Sequence, residues 1–309
     1  MSENVATRVA YGEFLIDEGE RNPDLIVLDA DLSGSTKTKE FAQTFPNRFF
    51  NMGIAESNMM GTAAGLALSG KTVCASSFAM FAAGRAFEIV RNAIGYPKAN
   101  VKICATHSGI TVGEDGASHQ TFEDISLMRT IPEMTVVVPG DGPGAKILLR
   151  QAVNMTGPVY VRLGRSAVPI IYDKSSDLKI GKGKLLRDGR DLTIIACGIM
   201  VSEALKAADQ LAGSDIDARV IDMHTIKPID REIIMKAASE TGAIVTAEEH
   251  SVIGGLGGAV SEVVVEECPV PVRMVGQNDT YGESGKPDEL RKKYAMTAED
   301  IVRAAKSLG

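Results

Sequence analysis

Residues 53–65 read Gly53-Ile54-Ala55-Glu56-Ser57-Asn58-Met59-Met60-Gly61-Thr62-Ala63-Ala64-Gly65. One carboxyl opens a segment that is otherwise small and apolar, and the pattern predicts a helix over residues 56–69. The β-branched run at 72–75 follows at once as a strand. Working outward, the same alternation recurs. Strands are expected at residues 25–28, 101–105, 134–138 and 159–162, with helical windows at 5–18, 82–94 and 145–154. Short β-branched runs interleaved with amphipathic helices signal an α/β architecture with a mostly parallel sheet. Residues 172–190 are dense in Lys, Arg and Asp with scattered glycines and read as a connection between domains.

A second unit starts at Asp191. The run Leu192 to Ala196 is near-continuously apolar, as a buried parallel strand should be. A helix at 201–211, strands at 219–221 and 243–247 with a helix at 230–238 between them, and a glycine-rich then helical stretch at 254–267 follow. A strand at 272–275 and a helix at 300–307 come last. At 309 residues the chain suits two domains.

Composition narrows the function classes. Hydrophobic residues make up 44% and charged residues 24%, enough for real cores in an ordinary globular protein. The net charge of −7 argues against nucleic acid as a partner. Basic residues are spread thinly, so no membrane-binding patch is expected. Residues 58–84 are small and interrupted by Lys71, which argues against a membrane span. The N-terminus carries Glu3 where a signal peptide has basic charge, and no apolar core follows. Cys74, Cys104, Cys197 and Cys268 lie far apart without zinc-ligand spacing and read as reduced thiols. A cytoplasmic location is the expectation.

Three segments carry candidate chemistry. Glu56, taken alone, is most simply a first-turn acid that complements the helix dipole. Its functional reading is a buried carboxyl sharing a proton with a ring nitrogen, with Gly61, Ala63, Ala64 and Gly65 letting a flat ring approach. Ser76-Ser77-Phe78-Ala79-Met80-Phe81-Ala82-Ala83-Gly84-Arg85 places Phe78 and Phe81 three apart, which serves a core as readily as a ring-stacking box. The densest segment is His107-Ser108-Gly109-Ile110-Thr111-Val112-Gly113-Glu114-Asp115-Gly116-Ala117-Ser118-His119-Gln120, which holds two of the four histidines. It follows a buried strand, at the end where open α/β sheets bind ligands. Hydrogen bonding and proton transfer suit it better than metal binding, because no third ligand accompanies His107 and His119.

Together these segments resemble the pyrimidine-binding domain of transketolase. Gly113-Glu114-Asp115-Gly116-Ala117-Ser118-His119-Gln120 sets the chain apart from deoxyxylulose phosphate synthase and from the β subunit of 2-oxo acid dehydrogenase E1. The stretch from Asp191 through Glu248-Glu249-His250 and Gly254-Gly255-Leu256-Gly257-Gly258 resembles the transketolase C-terminal domain. The resemblance implies a pyrimidine-binding domain over 1–170, a linker over 171–190 and a C-terminal domain over 191–309, each domain a mostly parallel sheet flanked by helices. It implies thiamine diphosphate as cofactor, with Glu56 hydrogen-bonded to the pyrimidine N1′ and Phe78 and Phe81 packed on the ring. A third aromatic of some members falls at Gly84 here, which thins the stack. His119 and Asp115 would contact the sugar hydroxyls, and His107, Arg165, Arg8 and Ser35 would grip a substrate phosphate. A surface ion pair remains the alternative for Arg8.

The family's diphosphate and metal motif is not matched. Gly140-Asp141-Gly142 lacks the partner asparagine at the right spacing and reads as a turn and helix cap. No metal ligand is therefore expected in this chain. The resemblance implies an N-terminal subunit holding the diphosphate and Mg2+ or Ca2+, in an α2β2 heterotetramer acting on sugar phosphates of the pentose phosphate pathway. A related thiamine enzyme subunit, of the E1 β or unusual-sugar type, and a catalytically silent assembly paralogue stay open as alternatives.

Overall fold

The structure is a computed structural model and describes residues 4–308. Its strands, in chain order, are β1 (Asn4–Ala6), β2 (Leu25–Asp29), β3 (Phe49–Asn51), β4 (Thr72–Phe78), β5 (Val101–Thr106), β6 (Thr135–Val137) and β7 (Val159–Arg162). They continue with β8 (Ala167–Pro169), β9 (Lys184–Arg187), β10 (Leu192–Ala196), β11 (Ala218–Asp222), β12 (Thr225–Lys227), β13 (Ile244–Ser251) and β14 (Val272–Gln277).

The first sheet has seven strands in the order β12-β6-β7-β5-β4-β2-β3. All neighbours in it are parallel except β12, which runs antiparallel to β6. Its central strands β2, β5 and β7 are buried at every position, which is why they are mostly apolar, with Asp29, Lys102, Thr106 and Arg162 as buried exceptions. The second sheet has five strands, β14-β13-β10-β11-β9, with only β9 antiparallel. β1 and β8 form a small antiparallel pair. The two-sheet, helix-flanked α/β class expected from the sequence is the class observed.

Five short strands, β1, β3, β8, β9 and β12, lie outside the sequence reading. β9 falls inside the segment read as a connection and pairs with β11 at the sheet edge. β12 crosses from the second half of the chain onto the edge of the first sheet. Three or four residues are too few to express a period, and an edge strand needs no continuous apolar run. The helical window at 82–94 is helical but wound wide. Met80–Arg85 and Val90–Gly95 are π-helical turns around the short α-helix Phe87–Ile89. The bonds Ala86 N–H to Phe81 O (3.3 Å) and Tyr96 N–H to Arg91 O (3.0 Å) each span five residues.

The interior joins the two sheets. One apolar cluster contains Ile103, Val136 and Tyr160 of the first sheet together with Ile195, Ile221 and Met223 from the second unit. Polar ties reinforce it. Asp124 accepts from Arg162 Nε and from Tyr160 OH, both at 2.7 Å, and Arg162 Nη2 donates to the Glu249 carbonyl at 2.9 Å. Arg162 thus links β7 to β13. Its 4% exposure leaves Asp124 as its compensating charge.

Candidate active site

The candidate residues follow the carboxyl ends of neighbouring parallel strands. Ser35 comes after β2, Glu56 after β3, Phe78 closes β4, His107 follows β5 and Arg165 follows β7. Consecutive parallel strands deliver their following loops to one edge, so residues dispersed along the chain converge there. Arg8 joins them from the first turn of the helix Thr7–Arg21. That helix is tied to the Arg165 loop, because Gly164 N–H donates to Thr7 Oγ1 at 2.8 Å.

Glu56 is the first residue of the helix Glu56–Leu68 and is 2% exposed. Met59, Met60, Ala63, Ala64 and Ala67 form the buried side of that helix. The Glu56 carboxylate accepts from Arg85 Nη1 at 3.3 Å. The Arg85 guanidinium in turn lies over the Phe81 ring, 5.1 Å from its centroid. Phe78 and Phe81 are nearly parallel, with centroids 6.0 Å apart at 11°. The His119 ring meets Phe81 edge-on at 5.3 Å and Phe78 at 6.3 Å. A buried carboxyl beside an aromatic shelf fits a flat heterocycle that both stacks and exchanges a proton. The ring-holding half of thiamine diphosphate therefore fits the residues present.

His107 connects this shelf to a group of cations. Its ring stacks on Phe78 with centroids 3.8 Å apart at 21°. Its backbone is left-handed at φ 56°, a conformation that costs energy for a residue with a Cβ and that clusters at functional sites. Nε2 lies 3.3 Å from Arg8 Nη1 and Nδ1 lies 2.9 Å from Thr106 Oγ1. Arginine only donates, so Nε2 accepts and the proton sits on Nδ1. Burial, then the positive charges of Arg8, Arg165, Lys37 and His119, push His107 down to about 3, so its ring is neutral at neutral pH. An oxyanion brought beside it reverses the sign of the charge effect.

Among the described residues Arg8 makes no ion pair. Its Nη1 donates to the Ser35 carbonyl at 2.9 Å. Its Nε is buried without a partner, and no hydrogen bond involves Nη2 among the described residues. Among the described residues the Nε/Nη2 edge, the one that forks onto carboxylate or phosphate oxygens, thus makes no hydrogen bond. Ser35 enters through its carbonyl. Arg165 donates from Nη1 to the Val112 carbonyl and to Glu114 Oε2, the latter at 3.0 Å. Asp115 is exposed, and among the described residues its side chain makes no hydrogen bond or ion pair to the others.

Lys37, Arg85 and Glu249 were not singled out by the sequence reading. Lys37 adopts φ 70° after the short helix Ser33–Thr36, and nothing in its run of Ser, Thr and Lys marks it. The contact of Arg85 with Glu56 joins separate elements. Glu249, in the second unit, reaches the loop at Thr111, 138 residues away in the first.

The decoy triplet behaves as a cap. Asp141 is fully buried and accepts from Gly144 N at 2.7 Å, Ile171 N at 2.6 Å and Tyr172 N at 2.8 Å. Three backbone donors account for its carboxylate. Glu248 accepts from Leu256 N at 2.7 Å and Gly257 N at 2.8 Å, at the start of the helix Leu256–Glu267, and burial lifts it to about 7. The glycines there serve packing, since a Cβ on Gly257 would meet Met274 Sδ at 2.8 Å. Among the described residues, no group of three or more His, Cys, Asp or Glu could hold a metal ion, and no helix is long and apolar enough to cross a membrane.

Comparison with known proteins gives a consistent result. Residues 3–170 match the family described as transketolase, pyrimidine binding domain, and residues 181–301 match transketolase, C-terminal domain. The chain is 54% identical over 299 residues to a putative transketolase C-terminal section of Methanocaldococcus jannaschii, covering 96% of this chain and 94% of the relative. It is 44% identical to a 6-deoxy-6-sulfo-D-fructose transketolase subunit of a Clostridium species, covering 96% and 92%. It is 37% identical to human transketolase, of which it spans 50%. A solved structure described as a split gene transketolase, inactive beta4 tetramer, superposes with a TM-score of 0.93 at 55% identity, covering 98% of both chains.

Proposed function

This chain belongs to the transketolase family, and on that premise we propose that it is the C-terminal subunit of a two-chain, thiamine diphosphate-dependent transketolase acting on phosphorylated sugars. The observation that carries the reading is the continuous path from Glu56 and Phe81 through Phe78 and the stacked His107 to Arg8. One end suits a proton-exchanging heterocycle and the other an oxyanion. The division into domains at 1–170 and 191–309, with a linker between, belongs to the same proposal.

The cofactor, when bound, supplies the carbanion chemistry that cleaves and forms the ketose carbon–carbon bond. This chain supplies placement and proton control. Glu56 holds a proton at the pyrimidine N1′. Phe78 and Phe81 set the plane of that ring. His119 and Asp115 hold the sugar hydroxyls next to the reacting carbon. Arg8 offers its fork to the phosphate, with Arg165 and His107 beside it and Ser35 orienting Arg8. Lys37 raises the positive potential around this end, which favours a dianion.

An N-terminal subunit would contribute the diphosphate site and its Mg2+ or Ca2+, both hard cations suited to oxygen ligands. An α2β2 assembly in the cytoplasm, serving pentose phosphate exchange, completes the proposal. The inactive tetramer of the 55%-identical relative is in keeping with a chain that needs a partner. The 44%-identical relative bears the name of a sulfosugar enzyme, and a terminal sulfonate offers the same tetrahedral oxygens with less charge. The test is ketol transfer from xylulose 5-phosphate to ribose 5-phosphate, with thiamine diphosphate and magnesium, by the chain alone and with the N-terminal subunit. Turnover only in the mixture supports the proposal. Turnover by the isolated chain overturns it, and so does an inert mixture.

A further inference from the structure

The loop bearing Asp115 and His119 is braced from the other half of the chain. Its 3₁₀ turns, Ile110–Asp115, follow Gly109 at φ 75°. The Thr111 N–H donates to Glu249 Oε1 at 2.7 Å. Glu249 belongs to β13 of the second sheet and is 4% exposed. Its carbonyl is itself fixed by Arg162, which holds β13 against β7. The loop backbone folds so closely over the Glu249 carboxyl that a Cβ on Gly109 would overlap it. A second brace sits beside it, where Gln120 Nε2 donates to the Glu283 carbonyl at 2.9 Å.

From this geometry we infer that Glu249 is a positioning residue for the sugar-contacting loop, so that the C-terminal half of the chain sets the register of Asp115 and His119 over the reacting carbon. The inference rests on the proposed sugar contacts of those two residues. A buried side-chain acceptor on a backbone N–H ties the loop directly, and burial raises the Glu249 carboxyl above its ordinary value. The ties of Arg165 to Val112 and Glu114 arise within the same half and are partly exposed, whereas Gln120 reaches Glu283 in the C-terminal half. A displacement of about 1 Å in such a loop is enough to cost catalysis.

The test uses Glu249→Ala and Glu249→Gln, each assembled with the N-terminal subunit, with Asp115→Ala and His119→Ala as references. For Glu249→Ala the expected result is a fall of about tenfold or more in kcat/KM for sugar phosphates, with thiamine diphosphate affinity unchanged. Glu249→Gln keeps an acceptor and is expected to recover most of the loss. Hydrogen exchange on the chain alone gives a readout independent of turnover: residues 108–120 lose protection in Glu249→Ala while the strands keep theirs. Deprotection spread evenly over the chain, equal losses in the Ala and Gln variants, or an unchanged kcat/KM would each overturn the inference. If the loop loosens as expected but Asp115→Ala and His119→Ala leave kcat/KM intact, the sugar-contact reading is what fails, and the functional part of the inference falls with it.

Discussion

Replacing Arg8 by alanine separates phosphate recognition from the rest of the site. In the structure Arg8 spends Nη1 on the Ser35 carbonyl and on His107, and its Nε/Nη2 edge makes no hydrogen bond among the described residues. On the proposed phosphate role, that edge would donate two parallel charge-assisted hydrogen bonds, each worth about 1.5–3 kcal/mol. Arg8 is half-buried, so solvent screening favours the lower figure, and the pair comes to about 3 kcal/mol. At about 1.4 kcal/mol per decade this is a fall of about 100-fold in kcat/KM for a phosphorylated acceptor. An unphosphorylated acceptor of the same chain length should change by less than about twofold, since Arg8 contributes nothing to the reacting carbon. Arg8→Lys should fall between, because lysine keeps the charge and loses the fork. A second signature follows from His107. Arg8 is the leading charge among those that hold His107 down, so its removal lets the imidazole protonate at higher pH. The assay is steady-state ketol transfer by the assembled enzyme with matched acceptors. Equal losses on both acceptors would refute the reasoning and make Arg8 a structural residue.

Two further outcomes follow from buried charges. Asp124→Ala strands the Arg162 guanidinium in the interior between the sheets, and the cost of about 3–5 kcal/mol should appear as a lowered urea midpoint; a loss under about 1 kcal/mol would mean that Arg162 is compensated elsewhere. Asp222 is lifted to about 7 by burial, while Tyr172 OH donates to it at 2.7 Å. Its folded value lies above the unfolded value of about 4, so between the two the folded state binds the proton more tightly. Stability relative to Asp222→Asn is therefore greatest below pH 4, is lost as pH rises toward 7, and levels above it, with a slope of up to about 1.4 kcal/mol per pH unit. Urea midpoints across pH for both proteins check this, and parallel profiles would contradict it.

The sequence carried the fold where burial writes a pattern. β2, β5, β7 and β10 are buried throughout, so their apolar runs could be read directly, and the residues just after them pointed to one edge of the sheet. The proximity of Arg8, Ser35 and His107 rested on resemblance, because no local signal ties residue 8 to residue 107. The edge strands β9 and β12 escaped because short pairing at a sheet margin leaves no period. The π-helical winding escaped because side-chain spacing over two turns hardly distinguishes it from an α-helix. Lys37 was missed because a left-handed lysine looks like any other in sequence. Glu249 was visible as part of a motif, but its bond to Thr111 joins the two units and depends on how the two sheets meet.

The central claim is that this chain contributes Glu56 to a site completed by another subunit. The most direct measurement titrates the N-terminal subunit into a fixed amount of this chain, with thiamine diphosphate and magnesium, and follows ketol transfer for the wild type and for Glu56→Gln. The account predicts no turnover without the partner, a rise to saturation at one partner per chain, and an assembled but inactive Glu56→Gln enzyme. Turnover by this chain alone, or undiminished turnover in assembled Glu56→Gln, would contradict it.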